Sequence, residues 1–175
     1  VKAFGKAIGI KADVFSLWIN KGLALQELNE HQEALDAFSK ATTLSGNVHE
    51  AWNYKGYVFE EIGKHQEALD AYDKAIQIKP DFVIAFNNKG LLQDTMGNHL
   101  EAIETYNKAL TIKPDLDIAW FNKACAEALL SNKEGALSSL KKAIELNQSF
   151  KRIARTNPDF SKIKDDPDFI NVVGN

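Results

Sequence analysis

The chain has 175 residues, of which 45% are hydrophobic and 26% charged, with a formal net charge of −3. That balance suits an ordinary folded chain and asks for no clustered basic face of the kind that nucleic-acid binding needs. The single cysteine, Cys125, excludes an internal disulfide, which fits a reducing cytoplasmic setting, and no apolar run reaches the roughly 18 residues of a membrane span.

The first 14 residues carry Phe4 and Ala7, which stand 34 residues ahead of Phe38 and Ala41. They read as the second helix of a repeat whose first helix is missing. More of the array is therefore expected upstream, with Phe4 and Ile8 on an open edge that invites self-association. No signal-peptide h-region is present in VKAFGKAIGIKADVF.

From there the chain repeats itself in the spans 15–48, 49–82, 83–116 and 117–150. Trp18, Trp52, Phe86 and Trp120 form one column, and Lys21, Lys55, Lys89 and Lys123 another. Ala34, Ala68, Ala102 and Ala136 form a third, and Ala41, Ala75, Ala109 and Ala143 a fourth. Gly22, Gly56 and Gly90 share a column that becomes Ala124. Each copy reads as two helices. In the second copy, Ala51, Trp52, Tyr54, Val58, Phe59 and Ile62 have helical spacing over about 49–62. Gly63 stops that helix, and a second helix runs from His65 to Lys79, where Pro80 ends it. Asp81 is placed to start the next helix.

The other copies vary only the punctuation. Their inner turns are Asn29-Glu30, Gly97-Asn98 and Ser131-Asn132. Ser45-Gly46-Asn47, Lys113-Pro114-Asp115 and Asn147-Gln148 mark the ends of copies. The small residues let paired helices approach, and the aromatics fill the remaining space. After Asn147 the period is lost. Residues 151–175 read as a capping segment, and Phe150, Ile153, Phe160, Ile163, Phe169 and Ile170 are expected to cover the last repeat.

These columns resemble the tetratricopeptide repeat in period and in the W…G…A…F…A…P order. The resemblance implies an all-α fold, a right-handed α-α superhelix of antiparallel helix pairs, that binds proteins. One departure is consistent: Lys stands in every copy where the family usually has Leu before the glycine. In that family the first helices line the concave side and take an extended peptide or a partner helix. Carried onto this chain, the partner-binding residues are Asn20, Asn53, Tyr54, Tyr57, Glu60, Glu61, Asn87, Asn88, Leu91, Phe121 and Asn122. Asn20, Asn88 and Asn122 share one column, interrupted by Tyr54. A carboxamide donates and accepts, so it can pair with a peptide unit whatever the side chain. Acidic residues on the same helices favour a neutral-to-basic protein ligand.

A carboxylate clamp does not fit. Its positions would be Ile19, Leu23, Tyr54, Ile84 and Asn88, or one repeat on Asn53, Tyr57, Asn88, Ile118 and Asn122, and neither set holds a cation.

Nothing in the sequence asks for catalysis, a metal or a cofactor. His31, His65 and His99 repeat one column and read as accessible consensus positions, and His49 stands apart. Cys125 reads as a buried or half-buried thiol with no base. Asp165-Asp166 before Pro167 read as a helix cap. The alternative is that the chain is the C-terminal scaffold of a larger enzyme whose catalytic part lies upstream.

Overall fold

A computed structural model describes residues 15–44 and 49–174. The helix expected over 1–14, with Phe4 and Ile8, and the Ser45-Gly46-Asn47 turn lie outside the described residues. Two compact units divide the chain, Val1–Ala85 and Phe86–Asn175. Among the described residues the secondary structure is helical throughout.

The first unit holds α1 (Phe15–Glu27), α2 (His31–Leu44), α3 (His49–Glu61) and α4 (His65–Ile78). Helices α1 and α2 pair, α3 and α4 pair, and α2 packs on α3. Helix α5 (Val83–Thr95) carries the boundary. The second unit continues with α6 (His99–Ile112), α7 (Asp117–Leu129), α8 (Lys133–Leu146), α9 (Phe150–Thr156), a 3-10 turn at Pro158–Phe160, and α10 (Pro167–Val173). Within it α6 packs on α7, and α7 pairs with α8.

The inner turns share one device. Asn29, Gly63, Gly97 and Ser131 occupy the same repeat position and have φ of 58°, 75°, 82° and 62°. A left-handed residue here closes the first helix and turns the chain back. Glycine and asparagine enter that region readily, and Ser131 does so against its side chain.

The glycine column sets how close the two helices of a pair come. A Cβ at Gly22, Gly56 or Gly90 would lie 2.5 to 2.6 Å from the ring of Phe38, Tyr72 or Tyr106, respectively. In the fourth copy the glycine becomes Ala124 and the aromatic becomes Leu140, and both are fully buried. The two columns change together because they share one space.

The lysine column has a physical role too. The ammonium groups of Lys21, Lys55 and Lys123 lie 5.3, 4.5 and 5.2 Å from the ring centres of Trp18, Trp52 and Trp120. A lysine can lay its aliphatic stem along apolar surface, as leucine would, while its charge meets the ring face. Burial lowers the pKa of Lys55.

The C-terminal segment has its own core with the fourth repeat. Phe150, Phe160, Ile163, Phe169 and Val173 pack with Phe121 and Cys125 of α7 and Leu140 and Ile144 of α8. Asp166 caps α10 by accepting from the Asp168 amide at 2.9 Å. Lys133 bridges Asp166 and Asp168 at 2.7 and 3.1 Å, tying the start of α8 to the start of α10. Two expected inward residues are exposed instead. Ile62 lies one residue past the end of α3, and Ile170 points away from the cap core on α10.

Candidate protein-binding face

In the first unit the residues read as partner-binding divide into open and occupied. Asn20 and Glu61 are exposed, and Tyr57 is 43% exposed. Tyr54 is half-buried and stacks on Phe38, with ring centres 5.4 Å apart. Glu60 accepts a hydrogen bond from the Tyr72 hydroxyl at 2.9 Å. Burial raises the pKa of Glu60, and the bond from Tyr72 offsets part of that. Asn53 is a correction: it is only 5% exposed and so is not open to a ligand.

In the second unit Leu91 is 43% exposed, at the same repeat position as Tyr57. Asn87 and Asn88 are half-buried. Asn122 donates to the Asn87 carbonyl oxygen at 3.2 Å, so part of the carboxamide capacity is spent within the fold. Phe121 is the second correction. It is 5% exposed, stacked on Phe150 with ring centres 4.5 Å apart and edge-on to Phe160. The C-terminal 3-10 turn packs against α7 and covers the face that is open on the earlier first helices. A sequence signal for this exists. Phe121, Cys125 and Ala128 make an apolar stripe at helical spacing, where the third copy has Asn87, Leu91 and Asp94.

Sequence reasoning missed two polar arrangements. Glu127 is buried on α7, accepts from Ser139 Oγ at 2.6 Å and lies 3.9 Å from Lys123. Its pKa is raised, first by burial. Asp94 pairs with His99 Nδ1, and its pKa is also raised, first by burial. The Cys125 thiol is pushed up by burial and then by nearby Asp159, so it stays protonated and unreactive at neutral pH. Among the described residues no group of three or more His, Cys, Asp or Glu is placed to hold a metal ion. No described helix is long and apolar enough to cross a membrane. The arrangement offers surfaces for contact: an aromatic and an aliphatic side chain left open, with carboxylates and carboxamides around them.

Comparison with known families and structures agrees with this architecture. Models described as tetratricopeptide repeat match residues 15–48, 49–82, 83–116 and 118–150. No curated protein sequence matches. A crystal structure of MamA is similar at 25% identity and a TM-score of 0.76, covering 86% of this chain and 88% of that one. YrrB, described as a TPR protein with an unusual peptide-binding site, is similar at 20% identity and a TM-score of 0.72, covering 97% and 88%. The TPR domain of Arabidopsis OM64 is similar at 20% identity and a TM-score of 0.61, covering 65% and 93%.

Proposed function

The chain belongs to the tetratricopeptide repeat family, and we propose that it is a protein-interaction scaffold whose first helices take an extended peptide or a partner helix. The observation that carries this reading is the exposure of Tyr57 and Leu91, at one repeat position in two successive copies. Both stand among the exposed large hydrophobic side chains of the described residues. Large apolar side chains left open at a recurrent position are the usual anchors of an interface. Glu60, Glu61 and Asp94 lie one turn further along the same helices. They favour a neutral-to-basic ligand, chiefly through encounter rate and specificity. The binding set is Asn20, Tyr54, Tyr57, Glu60 and Glu61 in the first unit, and Asn87, Asn88, Leu91 and Asn122 in the second.

Selection from a random peptide display library, followed by mapping of backbone amide shifts with a selected peptide, tests this. Shifts are expected around Tyr57 and Leu91. Binders that map only to the second helices, or a library that yields no binder on the first helices, would refute it.

A further inference from the structure

The first helices, α1, α3, α5 and α7, carry two kinds of group able to hold a partner: carboxamides and open apolar side chains. The carboxamides are largely committed to the fold. Asn53 is buried, and Asn122 donates to Asn87 at 3.2 Å. Asn88 is half-buried and already interacts within the structure. Asn20 is exposed. An extended segment brings unpaired N–H and C=O groups at every step, and a face that grips it must answer them at regular intervals. Carboxamides spent in this way do not form that ladder.

A helix has already satisfied its own backbone and asks mainly for apolar contact. Helix α5 offers it. Ile84 and Leu91 are 52% and 43% exposed. They stand seven residues apart, about two turns, so both leave the helix on one face about 10 Å from each other. An amphipathic helix repeats its own apolar residues at the same spacing. Charge narrows the choice further. The exposed charged residues of the four first helices are Glu27, Glu50 and Glu61, and none is a cation. Lys21, Lys55 and Lys123 lie over their own tryptophan rings instead, and Lys89 is half-buried. We propose that the partner presents an amphipathic helix with a basic polar face, and that its apolar stripe lies on Ile84 and Leu91 of α5. This rests on the first helices being the ligand face, and it selects the helical form of partner over the extended one.

The test takes the strongest peptide from the display selection, labelled with carbon-13, and reads its Cα shifts when bound to the whole chain. Helical shifts are expected over about two turns or more, the length that spans Ile84 and Leu91. Proline placed in the middle turn of the peptide should weaken binding roughly a hundred-fold, the scale of its cost inside a helix. Ile84→Ala and Leu91→Ala, each shown to be folded by its own spectrum, should each weaken binding roughly ten-fold, as expected of anchors. A bound peptide with extended shifts, or one that tolerates the proline, would overturn the helical partner while leaving the scaffold reading intact. A helical peptide that binds both variants at full strength would overturn its placement on α5. A library with no binder on the first helices would refute the scaffold reading, and this proposal with it.

Discussion

Phe121 of α7 lies flat against Phe150 of the C-terminal segment, with ring centres 4.5 Å apart and planes 16° from parallel. A residue at a partner-binding position of the repeat is thereby a core residue. Phe150→Ala should cost about 3–5 kcal/mol, the range for truncating a buried phenylalanine. Deleting 151–175 should cost at least as much and promote aggregation, because it uncovers Phe121 and Cys125. Urea unfolding together with sedimentation reads both. A truncated chain that is monomeric and equally stable would show that the segment is no cap.

The contact of Gly90 with the Tyr106 ring gives a second test. A Cβ there would come to 2.6 Å from the ring. Gly90→Ala should destabilise by about 1–3 kcal/mol through overpacking, despite the better helix propensity of alanine. Adding Tyr106→Leu should recover part of the loss, since the pair then copies Ala124 and Leu140 of the fourth repeat. Thermal unfolding of the single and double variants decides it. A double variant less stable than Gly90→Ala alone would show that the two columns do not share one space.

How far the sequence could be read depended on whether a residue's neighbours recur. Gly56 and Tyr72 meet inside one helix pair, and every copy repeats that pair, so the column exposes the contact. The inner turns at Gly63 and Gly97 were legible for the same reason. Phe121 was not, because what covers it is the non-repeating segment after Phe150, and position in the repeat says nothing about that. Asn53 misled too: it is 5% exposed although Asn87 of the same column is half-buried, and the column alone does not separate the two. The lysine column looked like a departure from pattern until the rings beneath the ammonium groups of Lys21, Lys55 and Lys123 were placed. The partnership of Asp94 with His99 depends on side-chain directions that spacing does not contain.

Stability should rise as the solution is acidified from neutrality. Burial holds the carboxyls of Glu60 and Glu127 above their ordinary 4.5, and that of Asp94 above its ordinary 3.8. In the window between the ordinary and the raised values the folded state binds more protons than the unfolded state. These groups therefore add stability as pH falls through that window and remove it as pH rises. Asp166 acts oppositely, since Lys133 lowers its pKa, but its contribution is lost only at pH below 3.8. The melting temperature should be higher at about pH 5 than at about pH 7. Glu127→Gln should flatten that dependence. A melting temperature that falls steadily from neutrality toward pH 5 would contradict the assignment.

The binding face makes a prediction in which stability and affinity separate. Tyr57 and Leu91 are each 43% exposed, so shortening them removes little from the fold. Tyr57→Ala and Leu91→Ala should each weaken a selected peptide by about 1–2 kcal/mol or more, as expected of interface anchors, with the melting temperature nearly unchanged. Asn122→Ala behaves differently. Its side chain already donates to Asn87 at 3.2 Å, so its loss should cost about 0.5–1.5 kcal/mol of stability whether or not a peptide is present. Glu60→Lys combined with Glu61→Lys should slow association of a basic peptide and flatten its salt dependence. Part of that change will appear as lost stability, because Tyr72 then lacks its acceptor. Lys108→Ala, exposed on α6, is the control and should alter neither quantity. Calorimetric titration beside thermal melts separates the cases. If Tyr57→Ala and Leu91→Ala bind at wild-type strength, these first helices are not the ligand surface, and the second helices become the place to look.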